Sequence, residues 1–349
     1  MVLLLIFCGV MFLFCGCQKS DFPGEGSYST FTLNIEAAKN ISSKAGDTNQ
    51  WNQAVEGNGV YSAAAFLFSE NSLVAYREVE LQELASSVAL SFDKNIIHGK
   101  YSLYVVANYS NFGEYTGLSG FKNILSSMIA GGKITQDFTN YSISSVDGVC
   151  KVVPHPLSAV MDVELVPGVN KIEASVLRSV SRVRISVENN SDTPLNISSL
   201  TFSNLFTQKS AWLFNNKGYN SQRGSITVSS SNALVPFTGS SSSPTVIAAK
   251  GKEVIFDAYI LESAMQQGES GYSYKLDLKY AASGGYVSKV VDIPLQTINE
   301  ITAQPEDVKE IKRNDFIDVT VKVSYSKNSG TIDFEVVPWN SGGGSIDFE

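Results

Sequence analysis

The chain has 349 residues, enough for two domains of ordinary size, and 43% of them are apolar against 17% charged. Its net charge of −8 argues against nucleic acid or anionic lipid as a main partner, because both need basic patches. Tyr and Phe are plentiful beside Val, Thr and Ser, which favours sheet over helix.

Residues 1–17 carry no charge, and their apolar run is short for a membrane-spanning helix, which needs about 20 residues. The run ends in Phe14-Cys15-Gly16-Cys17 and resembles the lipobox of bacterial lipoproteins, although Leu is usual where Phe14 stands. That resemblance implies a signal peptide over 1–16, cleavage between Gly16 and Cys17, and a lipid on Cys17 that holds the protein to the outer membrane. An ordinary secretory signal and a core helix are the alternatives. The basic residues that open a normal signal are missing, which a start codon further upstream would explain. Loss of 1–16 leaves Cys17 and Cys150, so with Cys17 acylated no disulfide framework exists and the core must hold the fold. Cys150 reads as a buried small hydrophobe. Residues 17–27 are polar, contain Pro23, Gly24 and Gly26, and read as a tether.

From residue 28 the chain reads as a first β-sandwich domain reaching residue 170. Residues 31–37 alternate apolar and polar as a first strand. Residues 39–47 are polar, carry Lys39 and Lys44, and read as exposed to proteases. Residues 62–68 suit a buried strand, and 79–92 fit either a strand or a helix. The run Gly99-Lys100-Tyr101-Ser102-Leu103-Tyr104-Val105-Val106-Ala107-Asn108 is the clearest internal strand. A helix follows, with Leu118, Phe121, Leu125, Met128 and Ile129 on one face and Gly131-Gly132 at its end. Met128 there is core filler. Two further strands are expected at 150–153 and 159–165.

Pro167-Gly168 marks the boundary, and residues 171–349 read as a second β-sandwich domain. Residues 177–187 are expected to make one strand, on which Arg178, Arg182 and Arg184 crowd together. They read as a solvated face or an interdomain salt bridge, with an anion site as the lesser alternative. Strands at 200–206, 225–228, 254–261, 272–280 and 286–293 follow, with a Ser-rich loop over 239–244. Many short strands between turn signals, with a few short helices, give an all-β fold of two Greek-key sandwiches in tandem. The last forty residues alternate again: Ile317, Val319, Val321, Val323 and Tyr325 share one face of a strand. A turn at 327–330 leads to a second strand with Ile332, Phe334 and Val336 on one face. Pro338 then removes a backbone donor. Trp339, a glycine-rich leash and the run Ile346-Asp347-Phe348-Glu349 close the chain. The 331–349 stretch reads either as a frayed terminus or as a strand offered to another molecule.

Catalytic and metal-binding patterns are not found in the sequence. His98 and His155 have no His or Cys at ligand spacing, and no zinc, calcium or nucleophile-elbow motif occurs. The chain reads as neither an enzyme nor a cofactor binder. Trp51, Trp212 and Tyr219 offer a stacking platform for a glycan or host ligand, against the plainer reading of core or rim packing.

Several of these segments together resemble the fimbrillin family, the subunits of type V pili. The residues that carry the likeness are the lipobox at Cys17, the 99–108 strand, Pro156-Leu157-Ser158 and Leu177-Arg178 with Arg182-Val183. Arg313-Asn314 before a long strand and Val336-Val337-Pro338-Trp339 complete it. The resemblance implies two transthyretin-like sandwiches, export as a surface lipoprotein, and removal of the first strand by a trypsin-like protease. A C-terminal strand from a neighbouring fimbrial subunit would then fill the groove. Here the cut would fall at Lys44, or at Lys39, since no arginine precedes Arg77. The donor would lie within 331–349, with Ile332, Phe334, Val336, Trp339, Ile346 and Phe348 as candidate anchors. Without the cut, the resemblance implies an anchor or accessory subunit. A host or bacterial surface receptor is the further expected partner.

Overall fold

The computed structural model describes residues 28–37, 59–113, 116–144, 150, 155–203, 210–214, 245–264, 271, 273–282, 285–298, 302–326 and 331–337. The first half holds β1 (Tyr28–Ala37), β2 (Val60–Ser69), β3 (Ser72–Ala85), β4 (Ser87–Ile97) and β5 (Gly99–Ala107). Helices α1 (Phe121–Gly131) and α2 (Gln136–Thr139) follow, then β6 (Ser142–Ser144), β7 (Leu157–Leu165) and β8 (Gly168–Arg178). The second half holds β9 (Ser181–Asn189), β10 (Leu195–Ser203), β11 (Ser210–Trp212), β12 (Thr245–Ile247), β13 (Lys252–Ile260) and β14 (Ser263–Ala264). It continues with β15 (Ser273–Ala282), β16 (Gly285–Pro294), β17 (Gln296–Ile298), β18 (Pro305–Asp307), β19 (Glu310–Ile311), β20 (Phe316–Ser326) and β21 (Thr331–Val337). The fold is all-β.

The first-half strands run in the order β3-β2-β5-β7-β8-β1-β4. β7 and β8 pair only at Leu157–Arg178 and Ser158–Leu177. The sheet therefore folds over along that seam into two layers, β3-β2-β5-β7 on β4-β1-β8, and its outer strands β3 and β4 come back into contact. The core between the layers takes Phe31, Leu33 and Ile35 of β1, Ala63, Ala65 and Leu67 of β2, and Val88, Leu90 and Phe92 of β4. A second core forms on the other side of β2, where Ala64, Phe66 and Phe68 meet Phe121, Leu125 and Met128 of α1, Phe138 of α2, and Leu213, Phe214 and Leu261. β2 is thus buried on both faces, which is why its sequence is a continuous apolar run instead of an alternating one.

Local choices follow from residue type. α1 ends at Gly132, whose φ of 61° is the left-handed conformation that glycine adopts without cost. β5 ends at Asn108, also left-handed at φ 56°. Its buried side chain accepts from the Tyr61 amide at 3.1 Å and donates to the carbonyls of Gly59 and His155. One polar residue thereby ties its own strand end to the segments at Gly59–Tyr61 and at His155.

Several expectations need correction. For the 79–92 stretch the strand reading holds and the helical one does not, but it is two strands, β3 and β4, parted at Ser86 and lying in different layers. The 177–187 run is not one strand: Ser179 and Val180 break it, and β8 and β9 belong to different sheets. Pro167-Gly168 is the turn joining β7 to β8, and β8 stays in the first-half sheet up to Arg178. β1 begins at Tyr28, three residues before the expected start. Cys150 is buried and lies outside any strand; its amide donates to the Tyr259 carbonyl at 2.8 Å. The rest of the 150–153 strand and the 225–228 strand lie outside the described residues.

The second half consists mainly of two four-stranded sheets, β13-β9-β20-β21 and β12-β10-β15-β16. Val183, Ile185 and Val187 of β9 are buried with Val319, Val321 and Val323 of β20, as their alternation requires. β6 of the first half pairs with β11 of the second, so a small sheet bridges the two.

Candidate functional site

β1 lies inside its layer, with β4 antiparallel on one side and β8 parallel on the other. Phe31, Leu33 and Ile35 point inward at 2%, 0% and 0% exposure, and Phe31 stacks on Phe92 with ring centroids 4.1 Å apart. At its first end the Ser29 hydroxyl donates to the Val166 carbonyl at 2.6 Å. The Asn170 side chain donates to the Thr30 carbonyl at 3.3 Å. Among the described residues β4 ladders with β1 alone. Taking β1 away would therefore strip β4 of its ladder and open one side of β8. It would also uncover Val88, Leu90 and Phe92 beside Ala174 and Val176. Beside the first end of β1, Ile97, Val166 and Val169 are 58%, 56% and 80% exposed, an apolar rim around the end of the slot.

The expected donor strand is paired within its own chain. β21 forms the edge of β13-β9-β20-β21 and makes one antiparallel ladder, which places Ile332, Phe334 and Val336 opposite Tyr325, Val323 and Val321 of β20. An ion pair between Lys322 and Glu335 at 3.4 Å spans that ladder on the exposed side. The side chains of Ile332, Phe334 and Val336, and the whole of Trp339, Ile346 and Phe348, lie outside the described residues. So do Gly16, Cys17, Lys39, Lys44, Trp51 and Tyr219.

The three arginines are placed in two settings. Arg182 chelates Asp257 through Nε at 2.7 Å and Nη2 at 2.6 Å, and its guanidinium lies over the rings of Phe316 and Tyr259. Arg184 reaches Asp257 at 3.2 Å and Asp318 at 3.9 Å. This is a cross-strand ion network within the second half. Arg178 is buried where the halves meet and donates to Asn314 Oδ1 at 2.8 Å. Sequence reading marked Arg313 and Asn314 without giving them a role. Arg313 is buried, pairs with Glu262 through two nitrogens, and donates to the carbonyls of Trp212 and Leu213. The backbone N–H of Asn314, a residue at φ 65°, donates to the Val180 carbonyl at 2.8 Å. An Arg-Asn dipeptide just before an apolar strand was the available signal for this junction. Trp212 is 37% exposed and stands beside it.

Tyr61 and Tyr109 carry raised pKa values, chiefly because burial disfavours the phenolate. Glu80 adds to the effect at Tyr61 and Glu78 at Tyr109, whose hydroxyl donates to Glu78 at 3.0 Å. Both are packing residues. His155 is buried against the Tyr259 ring at 4.2 Å, and His98 is exposed. Among the described residues no group of three or more His, Cys, Asp or Glu is placed to hold a metal ion, and no helix is long and apolar enough to cross a membrane.

The arrangement defines a tandem β-sandwich protein with a buried first strand and an edge-paired last strand. No protein-family model and no curated protein sequence matches the chain. Among solved structures it is similar to a candidate cell adhesion protein from Parabacteroides distasonis at 12% identity and a TM-score of 0.54, covering 90% of this chain and 98% of that one. It is also similar to a fimbrilin from Porphyromonas gingivalis at 13% identity and a TM-score of 0.48, covering 90% and 98%. A fimbrial anchor protein from the same organism aligns at 13% identity and a TM-score of 0.37, covering 89% and 98%. The first of these shares the fold of this chain.

Proposed function

We propose that this chain is a structural subunit of a cell-surface fimbrium, exported as a lipoprotein through Cys17 and polymerised by strand exchange without catalysis. The observation that carries the reading is the place of β1: among the described residues it is the only ladder partner of β4, and it supplies three buried side chains to the first core. A subunit cut at Lys44 or Lys39 would release β1 and leave a slot that only another strand can fill. Burying three apolar side chains in that slot is worth about 1.5–3 kcal/mol each before ordering costs. Residues 331–349 are the donor in this reading, because among the described residues β21 is held by one ladder only, and it carries the same spacing of apolar residues as β1. Such a joint is heterologous and does not close on itself, so it builds filaments. The rim of Ile97, Val166 and Val169 gives a neighbouring subunit an apolar surface beside the slot.

Sequencing the N-terminus of the protein in surface filaments tests this. A start after Lys39 or Lys44 is expected, with high-mass ladders on unboiled gels that vanish when 331–349 is deleted. A filament whose subunits still begin at lipidated Cys17 would overturn the stalk role and leave an anchor or accessory subunit. That second reading is favoured by the lack of any arginine before Arg77 for a trypsin-like protease to use.

A further inference from the structure

Among the described residues each half contains one parallel strand pair, and the two pairs are joined in series. β1 runs parallel to β8, from Ser29 beside Gly168 to Ala37 beside Val176. β20 runs parallel to β9, from Phe316 beside Arg182 to Val323 beside Asn189. Every other ladder among the described residues is antiparallel. Only Ser179 and Val180 separate β8 from β9, and both are buried. That joint is tied on several sides. The Ser179 amide donates to Pro156 at 3.0 Å, the Val180 carbonyl accepts from Asn314 at 2.8 Å, and the Arg182 amide donates to Asp315 at 2.9 Å.

The pairing also fixes which ends face each other. β8 starts at the turn from β7, in the part of the sheet where β4 ends at Ile97 and β5 begins at Gly99. It finishes at Arg178, against Asn314 of the second half. β9 starts at that junction and runs away from it with β20 alongside.

We propose that β8 and β9 form the tension line of the subunit, carrying load between the β1 slot and β20 with both parallel pairs loaded in shear. The inference rests on the polymer reading, with the incoming strand taking the direction of β1 and the outgoing segment leaving beyond β20. A strand in the slot is then pulled at its Tyr28 end, while β8 is held at its Arg178 end. β9 is held at its Ser181 end, while β20 is pulled at its Ser326 end. In this geometry all the ladder hydrogen bonds of a pair share the load and must fail together. In a hairpin pulled at its open end they fail one at a time. β20–β21 is such a hairpin: Val337 lies beside Thr320, so tension on the tail peels β21 and passes the load to β20. Side chains reinforce the line. Arg182 and Arg184 of β9 both lie over the ring of Phe316 on β20, and Asn170 and Ser29 tie β1 to the start of β8.

Single-molecule pulling on the full-length, unprocessed chain tests this without requiring polymerisation. Cysteine handles at Tyr28→Cys and Ser326→Cys load both parallel pairs in shear. Handles at Glu36→Cys and Ser175→Cys, neighbours across β1 and β8, peel that pair from one end. The first geometry is expected to rupture at a force several-fold above the second. Equal forces, or a weaker first geometry, would overturn the tension line. Thr30→Cys with Ser324→Cys repeats the shear geometry if the first handle pair does not fold. Failure of the fimbrial reading appears separately, as the loss of high-mass ladders from the processed chain.

Discussion

β1 and β21 are alike in sequence and unlike in placement. Both alternate apolar and polar residues, but β1 is laddered on two sides and buries Phe31, Leu33 and Ile35, while β21 is laddered on one side at a sheet edge. Departure of β1 would break two ladders and expose a core stripe. Departure of β21 breaks one ladder. The two strands thus differ in how firmly they are held, and the proposed strand exchange would use that difference, with β1 excised and β21 peeled.

The largest expected effect sharpens the donor side. Deleting residues 331–349 removes the peelable strand and should abolish high-mass ladders, while circular dichroism of the monomer still reports a folded sheet. A deletion that polymerises normally would place the donor elsewhere. Phe31→Ala tests the other side. It should lower the stability of the unprocessed chain by about 3–5 kcal/mol in urea titration, because a stacked ring leaves a packed core. The same substitution should leave assembled filaments unchanged if, as proposed, they have lost β1. Equal sensitivity of both forms would mean that β1 stays in the polymer.

Arg313→Ala leaves Glu262 buried without its charge partner, and a loss of about 3–5 kcal/mol is expected. The shear rupture should weaken with it, because Arg313 anchors the junction between the two parallel pairs. Alkali acts on the first half. The folded pKa values of Tyr61 and Tyr109 are raised, so the stability they confer is full below the ordinary tyrosine value of about 10 and falls as pH rises beyond it. Tyr109→Phe should flatten that loss in a pH-dependent melting series. The smallest effect concerns Glu80, whose carboxyl is held below the usual range mainly by its hydrogen bond from Lys122. Its contribution is present at neutral pH and fades as pH falls through the lowered value. Both partners are more than half exposed, so Lys122→Met should change the melting temperature only slightly.

Much of the fold was legible because the periodicities are strong. The 99–107 strand, the α1 face with Met128 at its centre, and the two closing strands follow directly from alternation and helical spacing. The misreadings share one cause. Ser86, and Ser179 with Val180, are short breaks at which the chain changes layer or sheet, and no Gly or Pro marks them. Conversely, Pro167-Gly168 looked like a domain boundary and lies in the turn that carries the chain from β7 to β8 in the facing layer, with Gly168 at φ 99°. The arginines were seen as a crowd, but their partners Asp257, Asp318 and Asn314 lie far along the chain, so local pattern could not divide them into two settings.

Composition and alternation by themselves determined that this is an all-β chain whose last residues are strand-like, because side-chain burial on a pleated backbone repeats every second residue whatever the neighbours are. Which strand lies inside a sheet, which lies at an edge, and which pairs run parallel were decided only by the tertiary structure. Those properties depend on ladder partners more than a hundred residues apart, as for Ser29 with Gly168 and Val183 with Ile317, and hydrogen bonds between backbones leave no mark on the identity of the residues that make them.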